Sequence, residues 1–323
     1  MAIDRWFIGG GAEHSPESAR RALYASTGGA EGVGGIDDLK VVPLAVPGGG
    51  VRILTGSALI RSGYAYGETQ TYMGTVYEQE TVSVAATGSG AGRSDMVVLR
   101  VEDPYAGGSP WPVPADPATA PYLHIRVISG VPADATRVQD VPGHDTDTAI
   151  ALARIDIPAS TGTIAAGMIT DLRRLGQPRR LSTLAYVPVP AVTDLVSATL
   201  VPWPASTAVQ VEVPEWATHA YVDGEIVNYQ TRNNPVAGTL RARLDTAGSG
   251  GVEAMSSPLY YNEQYAGDTR LSRPVGGKIT IPPELRGQVR NLRMVGLRNG
   301  GTGFLRASTD ALVRWNVTWA EEI

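Results

Sequence analysis

The chain has no cysteine in 323 residues, which excludes disulfides, thiolate metal sites and cysteine nucleophiles. Histidine is scarce: His14, His124, His144 and His219 lie far apart and show no metal-ligand spacing. Charge is thin as well. Charged residues make up 18%, below the usual quarter, so the surface must lean on neutral polar groups. The formal net charge of −5 offers no broad attraction to nucleic acid or to an anionic membrane. No apolar run approaches the roughly 18 residues of a spanning helix. The opening MAIDRWFIGGG lacks a basic stretch followed by an apolar one, so no secretory signal is expected and synthesis in a cytoplasm is.

Glycine (38) and proline (23) are instead abundant, and hydrophobic residues reach 43%. That composition suits short strands joined by many turns, and the length allows two domains with separate cores. One helix is clearly signalled. In HSPESARRALYAST, Ser15 is placed to cap, Pro16 takes the first helical position, and Glu17 favours the positive end of the dipole. Ala19, Ala22 and Leu23 give it a weak apolar face, and Gly28-Gly29 end it. A second short helix is expected to begin in AAGMITDLRRLG, where Asp171 to Arg174 interrupt the alternation.

The rest reads as strand and turn, so the expected fold class is mainly β. VRILTGSALIRSG, TVSVAAT, YLHIRVISG and ALARIDIP are short β-rich runs, and MVVLRVE (96–102) is apolar enough for a strand buried on both faces. Pro-rich connectors such as 102–121 cannot be central strand or helix. Around 176–190 the character changes, placing one β-rich domain with a short helix at 1–178 and a second domain at 185–323. In the second, alternation is clean. Val209, Val211 and Val213 oppose Gln210 and Glu212; Leu240, Ala242 and Leu244 oppose Arg241 and Arg243; Val313, Trp315, Val317 and Trp319 line one face of LVRWNVTW. Such period-2 patterns mark antiparallel strands with one face on a core. An antiparallel β-sandwich of jelly-roll type is the economical arrangement.

The stretch ATGSGAGRSDMVVLRVEDP (86–104) carries Gly88, Gly90 and Gly92 ahead of Arg93, Ser94 and Asp95. A phosphate-cradling loop needs a helix N-terminus after its glycines, whereas MVVLRVE is strand. The expected role is a hairpin tip with positive φ at its glycines where needed, and Arg93 and Asp95 pinning that turn or a neighbouring subunit. Asp145 and Asp147 in HDTDT lack the glycine and distal glutamate of a calcium loop and read as a solvated turn. No Gly-x-Ser-x-Gly elbow is present. Glu212, Glu215, Asp223 and Glu225 could hide a glycosidase pair, but solvent-facing charge is the simpler account. No cofactor and no metal are expected.

The aromatics are more suggestive. SSPLYYNEQYAGDTR (256–270) reads as a loop that gathers Tyr260, Tyr261, Asn262, Tyr265 and Asp268. Flat rings beside amides and carboxylates suit a glycan surface, a protein contact, or tyrosines buried in the sandwich, and the three stay open. Trp203 and Trp216, beside prolines, read as plugs at strand ends.

Four segments occur in order: WFIGGGAEHSPESARRALYASTGGAEGV, DLKVVPLAVPGGGVRILTGSALIRS, GSGAGRSDMVVLRVEDP and ALARIDIPASTGTIAAGMITDLR. Together they resemble the minor tail or baseplate proteins of long-tailed phages infecting actinobacteria, over roughly residues 1–175. The second domain resembles phage adhesin or carbohydrate-binding domains only in class. The resemblance implies a structural protein at the tail tip of a virion, with residues 1–178 as a tail-docking domain and 185–323 presented outward. It implies other tail or baseplate proteins as partners, a symmetric self-assembly expected to be a homotrimer, and no catalytic residues. A receptor-binding protein for a host cell-wall glycan is the alternative, and an envelope polysaccharide-degrading enzyme a more distant one. Neither nucleic-acid binding nor membrane insertion is expected.

Overall fold

The computed structural model describes residues 15–233, 235–245, 251–264 and 268–323. The chain is mainly β and forms two compact units, one ending at Gln177 and the other running from Pro178 to Glu322. In the first, helix α1 (Pro16–Thr27) precedes β1 (Gly32–Val33), β2 (Val41–Pro43), β3 (Gly50–Ile53), β4 (Gly56–Arg61), β5 (Thr71–Val76), β6 (Glu80–Ser83), β7 (Arg93–Val101), β8 (Leu123–Ser129), β9 (Ala149–Ile157) and β10 (Ile169–Asp171). The second holds β11 (Arg180–Pro188), β12 (Thr193–Leu195), β13 (Val201–Pro202), β14 (Val209–Val213), β15 (His219–Arg232) and β16 (Val236–Asp245). It continues with β17 (Glu253–Met255), β18 (Leu259–Glu263), β19 (Thr269–Thr280), β20 (Gln288–Gly301), β21 (Phe304–Ala307) and β22 (Leu312–Ala320). No helix among the described residues is long and apolar enough to cross a membrane.

Helix α1 starts and stops where its caps dictate. The Ser18 N–H donates to the Ser15 hydroxyl at 3.2 Å, and Gly28 closes the last turn at φ 63°. Its apolar face does not anchor it, since none of its residues is buried. Arg20 does: Nε donates to Gln70 Oε1 at 2.6 Å and the guanidinium lies 4.8 Å from the Tyr72 ring centroid.

Among the described residues three sheets build the first unit, ordered β1-β4-β5, β2-β3-β6 and β10-β9-β7-β8. β7 is the hub. Val97 and Leu99 enter a core with Val33, Ile53, Ile60, Leu152 and Ile155, while Met96 and Val98 enter a second cluster with Ile128 and Val138. The apolar run is thus buried on both faces, each large side chain contributing about 1.5–3 kcal/mol. Two expectations fail here. The run 166–174 forms a single 3-10 turn (Ala166–Met168) and then β10, because Ile169 to Asp171 pair with Ala153 to Ile155 of β9. The glycine stretch is not a hairpin tip either: β6 pairs with β3, whereas β7 pairs with β8 and β9. Residues 84–92 therefore cross from one sheet to another. None of Gly88, Gly90 and Gly92 has a positive φ. Gly92 is required for closeness, since a Cβ there would lie 2.8 Å from the Ile157 carbonyl oxygen.

The second unit is an antiparallel β-sandwich. One sheet runs β11-β22-β15-β21-β12 with β19 also on β15; the other runs β13-β20-β16-β17 with β14 on β20 and β18 on β16. Val222, Ile226, Val313, Trp315 and Trp319 from the first sheet share one core with Val211, Leu240, Leu244, Leu292 and Met294 from the second. The alternation in AVQVEV, TLRARLD and LVRWNVTW is what turns those residues inward. Trp203 is buried at the end of β13, its indole N–H donating to the Thr193 carbonyl at 3.2 Å. Residues 180–184 are not a connector, because β11 begins at Arg180 and pairs along its whole length with β22.

Candidate functional site

The surface singled out by its tyrosines is organised by β18. This strand pairs with β16 so that Tyr260 faces Thr239, Tyr261 faces Gly238 and Asn262 faces Ala237. The stretch is strand over Leu259–Glu263, so successive side chains alternate and the neighbouring tyrosines part company. Tyr260 stands 72% exposed, with Asn262 and Gln264 exposed on the same parity and joined by a 3.3 Å hydrogen bond between their amides. Tyr261 turns inward to 2% exposure, its hydroxyl donating to the Leu297 carbonyl at 3.0 Å. Gly238 opposite makes this possible, because a Cβ there would run into the Leu297 carbonyl and the Tyr261 hydroxyl. Tyr261 is therefore a core residue and not a ligand platform, a correction to its place among the candidates. Asp268 is exposed and paired with Arg232, which occupies its carboxylate. Tyr265 lies outside the described residues.

Beneath this face is a polar cluster that the sequence did not signal. Glu263 is buried and ion-paired with Arg273, and the Tyr229 hydroxyl donates to Glu263 at 3.3 Å. Arg273 Nε in turn donates to the Tyr229 oxygen at 3.3 Å. Burial is the main cause that pushes the Tyr229 hydroxyl up to about 12, with Arg273 opposing and Glu263 assisting. Burial raises Tyr261 as well. All three groups of the cluster are engaged with one another, an arrangement that fixes β15, β18 and β19 together.

The other candidates resolve into structural contacts. Asp223 and Glu225 lie on the outer face of β15 with Arg314 at 3.6 and 3.7 Å; Glu212 and Glu215 are exposed. His144 Nδ1 sits 2.9 Å from Asp147 Oδ2, and Arg100 lies 3.5 Å from the same carboxylate. His124 faces Glu102 at 3.4 Å, and Arg100 and Arg126 donate to that carboxylate. No cluster of three metal-ligating side chains occurs among the described residues.

The charged residues of the ordered N-terminal segments act as clips. Arg93 Nε and Nη2 hold Asp95 at 2.7 and 2.9 Å, and Nη2 also reaches the Ala85 carbonyl at 2.6 Å. Arg173 repeats the device: it holds Asp171 at 2.9 and 2.7 Å and donates to the Ile36 and Asp38 carbonyls at 2.9 and 2.7 Å. Both are bidentate pairs between residues two apart on a strand or strand end, which share a face.

No protein-family model matches the chain, and no curated protein matches it. Among solved structures it is similar to that of the infectious bursal disease virus Gt strain, at 12% identity over 96% of this chain and 83% of that one, TM-score 0.27. The VP2 subviral particle of the same virus matches at 11% identity over 96% and 83%, TM-score 0.26. A structure of carbohydrate-binding modules from the β-sandwich superfamily matches at 11% identity over 87% and 98%, TM-score 0.16. Scores this low carry no assignment of function.

Proposed function

We propose that the chain is a non-enzymatic structural protein of a phage particle, placed at the tail tip or baseplate and assembled as a symmetric oligomer. The observation that carries this reading is the ordered set of four segments within residues 1–175, whose Arg93–Asp95 and Asp171–Arg173 pairs are spent on holding backbone together. Side chains committed to a scaffold in this way suit a protein whose task is to hold shape among neighbours. In this reading the first unit docks to other tail proteins and the second is presented to the outside. A homotrimer fits an assembly built around a tail axis. Antibody against the purified chain, used for gold labelling of the phage particles, tests it. Label at the tail tip supports the reading; particles that lack the chain, or carry it on the head, overturn it.

A receptor role for the second unit has one observation in its favour, the exposed Tyr260 ring beside the Asn262 and Gln264 amides. A ring face can stack on a sugar while amides take its hydroxyls. Binding of host-wall glycan fragments that is lost in Tyr260→Ala, with the fold intact, supports that role. Equal binding by the variant removes it.

A further inference from the structure

The sandwich sheet that contains β15 ends on one side in an edge whose seven central residues carry none of the usual protection. Among the described residues β11 pairs only with β22, so on its other side alternate residues of a nine-residue strand point their backbone donors and acceptors outward, Pro188 supplying an acceptor only. Edges of this kind are templates for pairing unless they are short, charged, bulged or broken by proline. From Leu181 to Val187, LSTLAYV, there is no charge, no proline and no glycine. Leu181, Leu184 and Tyr186 are 51, 58 and 61% exposed. The other edges of this sheet differ. β19 carries Arg270, Arg273 and Lys278 and includes Pro274, which offers no N–H, and β12 is only three residues long.

We infer that two copies of this chain pair through β11, edge to edge and antiparallel, about a two-fold axis beside Leu184. The register follows from the strand. Leu184 is the midpoint of Arg180–Pro188, so centring there is the alignment that overlaps all nine residues. On one face Leu184 then meets Leu184 of the second copy, and Tyr186 meets Ser182, which gathers two leucines and two tyrosines around the axis. On the other face Leu181 meets Val187, and Thr183 meets Ala185. Arg180 meets Pro188, so no like charges are opposed anywhere in the register. An isologous contact needs this self-complementarity. Charge favours the same place: with a net charge of −5 the copies repel in general, and this strip is neutral with an arginine at one end. A nine-residue edge is about 30 Å long, which places the contact toward the small end of specific interfaces and makes pairing dependent on concentration.

The inference rests on the reading above only in taking a second copy as the partner; an isologous contact does not close a trimer, so β11 pairing joins copies across a two-fold axis in addition to any contact around the tail axis. Leu184 meets itself, so Leu184→Lys and Leu184→Glu each set like charges opposite one another, while a mixture sets unlike ones. Leu184 is exposed, so both variants should fold, and thermal unfolding checks this. Analytical ultracentrifugation of the wild type, each variant and their equimolar mixture, together with concentration-dependent amide exchange over 180–188, reads the outcome. Expected are a wild-type association weakened at least about tenfold in either variant, restored pairing in the mixture, and amides of 180–188 that slow on concentration. Association unchanged by the variants, with exchange over 180–188 independent of concentration, overturns the β11 contact and leaves the wider assembly intact. No restoration in the mixture overturns the axis at Leu184. A wild type that stays monomeric at every concentration overturns both the contact and self-assembly.

Discussion

Arg93 holds Asp95 through two nitrogens, at 2.7 and 2.9 Å, and the same guanidinium grips the Ala85 carbonyl at 2.6 Å. Asp95 is wholly buried and accepts a further hydrogen bond from the Gly130 N–H at 3.0 Å. The pair thus ties the start of β7 to the segment before it and to the turn after β8. Removing the arginine alone leaves a buried carboxylate without its counter-charge. Arg93→Ala should therefore cost about 3 kcal/mol, and adding Asp95→Asn should recover a large part of that. Urea unfolding of the two variants against wild type measures the difference.

The two adjacent tyrosines of β18 should behave oppositely. Tyr261→Ala empties a buried ring site and removes the hydroxyl that donates to the Leu297 carbonyl, so a loss of about 3–5 kcal/mol is expected. Tyr260→Ala removes an exposed ring and should stay within about 0.5 kcal/mol. Chemical denaturation of the second unit distinguishes them, and identical losses would contradict the strand assignment over Leu259–Glu263.

Gly224 lies beneath Trp315, and a Cβ there would stand 2.5 Å from the indole ring. The tryptophan is buried in the core of the sandwich. Gly224→Ala should cost about 1–3 kcal/mol by overpacking and should shift the tryptophan fluorescence. An unchanged emission spectrum and melting temperature would show that the core has slack at this point.

Acid should weaken the first unit in two pH windows, the lower one shared by Glu102 with Asp156 and Asp171, which Arg154 and, against burial, Arg173 also hold below the ordinary carboxylate range. His124 is held below its ordinary value of 6.5, first by burial and then by the charges of Arg126 and Arg100, with Glu102 opposing. A histidine depressed in the folded state binds its proton more readily once unfolded. Its contribution is therefore present above about pH 6.5 and is lost as pH falls toward the folded value. Burial pushes the Glu102 carboxyl up, yet hydrogen bonds from Arg126 and Arg100 and the charge of His124 outweigh it and hold it below 4.5. That contribution is present above pH 4.5 and is lost as pH falls through the folded value. Melting temperature followed from pH 8 to 3 should show both losses, and His124→Gln should reduce the upper one and, by removing one of the charges that hold Glu102 down, shift the lower one to higher pH.

How much of this was readable from residues alone depends on how local each feature is. The caps of α1, the inward faces of β14, β16 and β22 and the two-sided burial of β7 follow from side-chain periods of 3.6 and 2, which any short stretch carries. The Arg93–Asp95 pairing was also legible, since residues two apart share a face of a strand. Reading 256–270 as a loop lost the alternation that separates Tyr260 from Tyr261. Tertiary structure alone decided that β6 and β7 join different sheets, because pairing partners are chosen by which distant strand completes a sheet and not by the turn between neighbours. It alone brought Tyr229, Glu263 and Arg273 together from three strands, and left β11 with an open side. Each of these depends on contacts between residues far apart in the chain, and no local pattern records them.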